Sequence, residues 1–165
     1  MNTPALNIGF VGLGIMGTPM AGHLIKAGHR LHLHTLHKVP DELLSAGGKA
    51  CAHAREVAER SDIIITMVPD TPDVGQALFG EYGVAAGLTR GKLVIDMSSI
   101  SPVETKEYAS KIEALGCDYL DAPVSGGDVG ADLRCRREQR HKAIARVPAA
   151  AGLGRCCRQG LWRLA

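Results

Sequence analysis

The sequence predicts an α/β fold in which helices cover both faces of a doubly wound parallel sheet. Strand-like and helix-like segments alternate from residue 7 to residue 122, and this alternation is typical of parallel sheets with right-handed crossovers. The clearest strand, residues 62–68, is apolar at nearly every position, as expected for a strand that is buried on both faces. A length of 165 residues fits one such domain.

Five strands and five helices are predicted in this part of the chain. The strands cover residues 7–11, 31–35, 62–68, 93–97 and 117–122, and the helices cover residues 18–27, 41–46, 54–60, 73–79 and 102–115. Gly28 stands where a helix commonly ends with a glycine. The last helix has a start signal in which Ser101 caps, Pro102 takes the first position and Glu104 reaches back.

The composition places the chain among ordinary water-soluble proteins. It is 45% hydrophobic and 22% charged, and no stretch reaches the roughly 18 apolar residues that a membrane span needs. Residues 1–6 do not resemble a secretory signal. Five cysteines without such a leader favour reduced thiols and a cytoplasmic location.

The character of the sequence changes after Ala131. Residues 132–165 contain eight Arg and one Lys against two acidic residues, whereas residues 1–131 contain ten basic and fifteen acidic residues. The regular apolar spacing also ends there. We therefore divide the chain into a domain, residues 1–131, and an atypical basic tail, residues 132–165. We hypothesise that the tail is poorly ordered and stems from a shifted reading frame.

The arginines of the tail could contact the phosphates of a nucleic acid. They are not accompanied by an aromatic stacking pattern or a known nucleic-acid motif. A solvated run of charge is the preferred interpretation, and no nucleic-acid partner is expected.

The first predicted strand leads into the pattern Gly12-x-Gly14-x-x-Gly17, which opens the first predicted helix. In this strand–turn–helix context the pattern predicts a Rossmann-type site for the diphosphate of a dinucleotide. Gly12 permits the tight turn, Gly14 lets the backbone approach the diphosphate, and Gly17 lets helix and strand pack closely. Free N–H groups at the helix start favour the anion.

The end of the second strand bears on the choice between NAD and NADP. An acid at this position binds the ribose 2′-hydroxyl of NAD, whereas a basic neighbourhood accepts the 2′-phosphate of NADP. Thr35 suits either cofactor, Lys38 favours phosphate, and no carboxylate occurs before Asp41. NADP is favoured, and NAD stays open. His32 and His34 are interpreted as packing or surface residues rather than metal ligands.

Three further strands end in short polar or glycine-rich motifs. These are Met67-Val68-Pro69, Asp96-Met97-Ser98-Ser99 and the run from Asp121 to Gly127. Ligands of open α/β sheets bind at the carboxyl ends of strands. Ser125 followed by Gly126 and Gly127 supplies a hydroxyl and free N–H groups, which suit a carboxylate or an oxyanion.

With these motifs the chain resembles the 3-hydroxyisobutyrate dehydrogenase family of β-hydroxyacid dehydrogenases. The resemblance is carried by residues 10–24, 67–69, 95–100 and 121–127, in the family's order and spacing. His23 stands where the family more often has Asn. The form of residues 97–100 is most similar to the tartronate semialdehyde reductase subfamily.

The resemblance implies reversible hydride transfer between NAD(P) and a small β-hydroxy acid or semialdehyde. It implies cofactor contacts from Gly12, Leu13, Gly14, Ile15, Met16, Gly17, Val68, Pro69, Asp73 and Ser99. The residue patterns add Thr35, Lys38 and Met67 to this set. Ser125, Gly126 and Gly127 would hold the substrate carboxylate.

The chain departs from the family pattern in two places. Thr35-Leu36 replaces a common Asn-Arg or Asp-Arg pair. After Gly127 the expected strand, catalytic lysine and all-helical second domain are not recognisable, and Lys142 lacks matching surroundings. Such a lysine acts as the general acid for the carbonyl oxygen. This chain is therefore expected to be inactive and not to form the family's homo-oligomer. A non-catalytic NADP-binding module is the alternative.

Overall fold

The computed structural model describes residues 5–124, which form a single parallel sheet with helices on both faces. The strands are β1 (Asn7–Val11), β2 (Arg30–His34), β3 (Lys49–Ala50), β4 (Ile63–Thr66), β5 (Leu93–Asp96) and β6 (Asp118–Asp121). The helices are α1 (Gly17–Lys26), α2 (Asp41–Ser45), α3 (Ala54–Arg60), α4 (Thr71–Phe79) and α5 (Pro102–Ala114), with a short 3₁₀ helix at Val84–Gly87. Across residues 5–124, none of the helices has the length and apolar character needed to cross a membrane.

The strand order β3-β2-β1-β4-β5-β6, with every pair parallel, confirms the doubly wound α/β fold. The chain builds outward from β1 through β2 to β3, then returns to place β4 on the other side of β1. The order therefore reverses between β1 and β4. A crevice at such a reversal, outside the carboxyl ends of the strands, is the usual ligand site of open α/β sheets.

Two apolar layers explain why the first three residues of β4 are all isoleucine. Ile63 and Ile65 belong to a core cluster that includes residues of α1 and α2. Ile64, between them, belongs to a second cluster with residues of α3, α4 and α5. Successive side chains of a strand point to opposite faces, so apolar residues on both faces of β4 are buried, and its one polar residue, Thr66, is hydrogen-bonded to Asp96.

The predicted elements differ from the structure mainly at their ends. Predicted strands 62–68, 93–97 and 117–122 shorten to Ile63–Thr66, Leu93–Asp96 and Asp118–Asp121, because residues at their ends belong to the adjoining loops. Strand β3 and the 3₁₀ helix were not predicted. β3 has only two residues, both exposed, and exists because it pairs with β2.

The start of α5 confirms the predicted cap and corrects one detail. The Ser101 hydroxyl accepts a hydrogen bond from the Val103 N–H at 3.4 Å, and Pro102 lies in the first turn. Glu104 reaches back to the Ser101 hydroxyl, and this hydrogen bond lowers the pKa of Glu104. The Ser101 N–H does not take part in a reciprocal capping box, because it donates to Thr71 Oγ1 at 3.2 Å.

Strand β2 contains two histidines, His32 and His34. His32 is buried, and its pKa is lowered by burial and then by the nearby cations Arg60 and Lys49, against a smaller opposing effect of Glu56. His34 Nδ1 lies 3.3 Å from the Cys51 carbonyl oxygen. In the part of the chain that the structure describes, no group of three or more His, Cys, Asp or Glu side chains could hold a metal ion.

His32 predicts an acid-sensitive stability. The unfolded chain protonates this side chain below a pKa of about 6.5, whereas the folded protein resists protonation until lower pH. The stability that neutral His32 contributes is thus present above about pH 6.5 and is lost as the pH falls toward the lowered pKa. When urea unfolding is measured at about pH 7.5 and about pH 5.5, the free energy of unfolding should fall more for the wild type than for His32→Gln.

The exposed His37 provides the matched control. His37→Gln is expected to keep the wild-type pH dependence, since its side chain is exposed. Identical pH dependence in wild type and His32→Gln would contradict the prediction.

Candidate cofactor site

Three loops meet at the carboxyl edge of the central strands. They follow β1 (residues 12–16), β4 (residues 67–70) and β5 (residues 97–101). The first two touch at Gly12 and the Met67 carbonyl oxygen. The last two are joined by a hydrogen bond from the Val68 N–H to Ser98 Oγ at 3.1 Å. The structure thus brings together three of the predicted strand-end motifs.

Gly12 has a backbone conformation that other residues rarely adopt. Its φ is +98°, and its N–H donates to the His34 carbonyl oxygen at 2.9 Å. A Cβ atom here would lie 2.1 Å from the Met67 carbonyl oxygen. The turn after β1 therefore requires glycine both for its conformation and for its contact with the neighbouring loop.

Gly17, at the start of α1, is required for a different reason. A Cβ atom at this position would lie 1.9 Å from the Gly12 carbonyl oxygen and 3.2 Å from Phe10 Cε1. The first distance is far below van der Waals contact, and the second is tighter than most contacts of a Cβ atom. Close packing of α1 against β1 and its turn therefore depends on this glycine, in agreement with the role that the sequence predicts.

Gly14 stands apart from the other two glycines because no atom of residues 5–124 lies within 4 Å of the position of its Cβ atom. Its neighbour Ile15 is 79% exposed. No contact within the fold requires glycine here. The open space above the backbone is what a diphosphate that approaches the loop closely would need.

The start of α1 is electrostatically suited to an anion. No side chain caps it, and its first turn contains no acidic residue. The backbone dipole therefore presents uncompensated positive potential at this end. Leu13 is buried, and Met16 packs partly against the core, so these two anchor the loop and leave its backbone for the ligand. The residues present thus fit a dinucleotide.

The remaining predicted cofactor residues lie around this cradle with different exposure. Pro69 and Ser99 are exposed, whereas Met67, Val68 and Asp73 are half-buried. Asp73 lies in the first turn of α4, where its N–H donates to the capping carboxylate of Asp70 at 3.5 Å. Exposed side chains at strand ends are available to a ligand, so Pro69 and Ser99 are the better placed of this group.

The loop after β2 carries a cation that already has a partner. Lys38 Nζ lies 2.7 Å from Asp41 Oδ2, and both side chains are mostly exposed. Thr35 is half-buried, and Leu36 is 87% exposed. The basic character expected here is therefore reduced by Asp41, the first acid after the strand.

Sequence reasoning gave Asp96 no role, yet it is the most connected polar residue of the edge. Its carboxylate is fully buried. Oδ1 accepts hydrogen bonds from Thr66 Oγ1 at 2.9 Å and from the Ser98 N–H at 3.0 Å. Oδ2 accepts one from the Tyr119 hydroxyl at 3.2 Å. An aspartate that ends an otherwise apolar strand was the available signal.

A second carboxylate lies next to Asp96 in the sheet. Asp121 of β6 pairs with Asp96 in register. Burial and then the charge of Asp96 raise the pKa of Asp121. Burial and the same charge raise the pKa of the Tyr119 hydroxyl, which favours its role as a donor.

The predicted substrate loop, Ser125, Gly126 and Gly127, lies outside the described residues, as do Lys142 and the whole basic tail. These positions remain predictions. The structure reaches Val124, which packs partly against the first core cluster.

Fold and edge together define a dinucleotide-binding domain with its cradle at the reversal of strand order. In agreement, residues 7–134 match the protein family described as the NAD binding domain of 6-phosphogluconate dehydrogenase. The chain belongs to this family.

Individual relatives support this membership. The chain is 58% identical over 126 residues to 2-hydroxy-3-oxopropionate reductase of Escherichia coli, a match that covers 76% of this chain and 43% of the relative. It is 46% identical over 129 residues to mitochondrial 3-hydroxyisobutyrate dehydrogenase of Drosophila melanogaster, covering 78% and 39%. The chain thus spans less than half the length of these relatives.

A solved structure shows the same arrangement. The 3-hydroxyisobutyrate dehydrogenase of Mycobacterium tuberculosis, described with L-serine, matches with a TM-score of 0.72 and 33% identity. The match covers 79% of this chain and 44% of that one.

The different surroundings of Gly14 and Gly17 predict separable effects. Gly14→Ala should leave the free energy of unfolding within about 0.5 kcal/mol of wild type, because its Cβ meets nothing. It should weaken NADPH binding by at least about tenfold, because the methyl group occupies the space of the diphosphate. Urea unfolding and fluorescence titration measure the two effects.

Gly17→Ala is the matched comparison. Its Cβ clash should cost at least about 2 kcal/mol of stability. Wild-type NADPH affinity in Gly14→Ala would contradict the assignment of the cradle.

Proposed function

We propose that this chain is the cofactor-binding part of an NAD(P)-dependent reductase that acts on a small semialdehyde or β-hydroxy acid of the 2-hydroxy-3-oxopropionate type. The observation that carries the proposal is the open cradle at Gly14, in a chain 58% identical over this region to a reductase of that substrate. The uncapped start of α1 supports it, because it supplies the potential that a diphosphate needs.

We assign the contacts with cofactor and substrate to separate groups of residues. A bound nicotinamide cofactor supplies the hydride that reduces the carbonyl carbon of the substrate. The backbone around Gly14 and the start of α1 hold the diphosphate. Pro69 and Ser99, exposed at the ends of β4 and β5, contact the rest of the cofactor. Ser125, Gly126 and Gly127 hold the substrate carboxylate.

Proton donation to the carbonyl oxygen is the step for which no residue of this sequence is identified. We therefore propose that these 165 residues bind cofactor and do not turn substrate over. This is the second candidate function, a non-catalytic binding module, and the lack of a residue that matches the family's lysine favours it.

One experiment tests both proposals. The purified chain is titrated with NADPH and NADH by fluorescence, and is assayed with tartronate semialdehyde and 3-hydroxyisobutyrate. We expect saturable cofactor binding and no turnover above a protein-free control. No binding of either cofactor would contradict the proposed site. Turnover would leave the site standing and would contradict the non-catalytic assignment.

The loop after β2 leads us to propose NADP as the preferred cofactor, since no acid directly follows the strand and Lys38 is close to it. Lys38→Gln should raise the Kd for NADPH about three- to fivefold at low salt, the effect expected of one exposed charge. The Kd for NADH should not change, because NADH has no 2′-phosphate.

Lys26→Gln is the control, since Lys26 is exposed at the far end of α1. Titrations at low and high salt measure both constants. Equal effects of Lys38→Gln on NADPH and NADH would refute a 2′-phosphate contact.

A further inference from the structure

Asp96 is a buried carboxylate that has no cationic partner among the residues that the structure describes. It has no exposed surface, and the ion pairs within residues 5–124 do not include it. Burial of an unpaired charge is costly unless hydrogen bonds compensate. Three donors supply this compensation, namely the Thr66 hydroxyl, the Ser98 N–H and the Tyr119 hydroxyl.

These donors come from three different places at the edge of the sheet. Thr66 is the last residue of β4, Ser98 lies in the loop after β5, and Tyr119 belongs to β6. Ser98 extends the connection, because its Oγ accepts the Val68 N–H of the loop after β4. One buried carboxylate therefore ties together the two loops that carry Pro69 and Ser99.

The way in which a dinucleotide would lie across the strand ends indicates how this connection affects cofactor binding. The diphosphate cradle lies after β1, and the adenosine side of a dinucleotide extends toward the end of β2. The other half of the molecule must then extend over the ends of β4 and β5, which lie next to each other on the side of β1 opposite to β2. The loops joined through Asp96 are those that meet this half.

We propose that Asp96 is a positioning residue that fixes the loops after β4 and β5 for the nicotinamide half of the cofactor. Its acceptor atoms hold Ser98, and Ser98 holds Val68. The exposed residues that follow, Pro69 and Ser99, are thereby set at a fixed separation. This inference rests on the proposed cofactor site and adds a residue that does not itself touch the ligand.

The test compares a whole cofactor with its adenosine half. NADPH and 2′,5′-ADP share the part that binds on the β2 side, but only NADPH reaches the loops after β4 and β5. Asp96→Asn replaces one acceptor with a donor at nearly constant volume. This substitution should weaken the binding of NADPH by about tenfold and leave the affinity for 2′,5′-ADP unchanged.

A second variant covers the case in which Asp96→Asn does not fold. Ser98→Ala removes only the bond to the Val68 N–H and should show the same selective loss of NADPH affinity, to a smaller degree. The matched control is Ser61→Ala. Ser61 is as buried as Ser98, both being 1% exposed. It precedes β4 at the amino end of the strands, and its hydroxyl has no hydrogen-bond partner within residues 5–124.

The outcomes separate this inference from the function on which it rests. If wild type binds neither NADPH nor 2′,5′-ADP, both fail. If wild type binds NADPH and the variants at Asp96 and Ser98 bind it equally well, only the positioning role is overturned. Equal weakening of both ligands also overturns it, because that result indicates a general structural role.

Discussion

The approach of backbone to backbone between Gly17, Gly12 and Met67 is the constraint on which the rest of the site depends. Cβ atoms at Gly17 and Gly12 would lie 1.9 Å and 2.1 Å from carbonyl oxygens. Because neither position has a Cβ atom, α1 can start directly above the end of β1, and the loop after β4 can lie against the turn that follows β1. The helix start and two strand ends thus meet at the reversal of strand order, where an anion can be bound.

One part of the site is enclosed by the fold, and another part faces open space. Gly12 and Gly17 are enclosed by the fold, whereas Gly14 faces open space, and Ile15 is exposed beside it. Hydrogen bonds through Asp96 and Ser98 connect the loop after β4 with the loop after β5. Packing and polar contacts therefore act together to hold the backbone groups and exposed side chains of the site in place.

Much of this could be predicted from sequence because the signals are local. The glycine pattern at residues 12–17 and the apolar strand at residues 62–68 are each recognised within a short stretch of sequence. Strand β3 and the Asp96 network could not be predicted, since each depends on a neighbour distant in sequence. Asp96 and Tyr119, for example, are 23 residues apart and meet only because β5 and β6 pair.

Titration of the ¹⁵N-labelled chain with NADPH, followed through backbone amide shifts, tests most directly whether residues 12–17 cradle the diphosphate of a nicotinamide cofactor. We expect saturable shifts concentrated at Gly14, Ile15 and Gly17, with smaller ones in the loops after β4 and β5. Unchanged amides in residues 12–17 at saturating NADPH would contradict it.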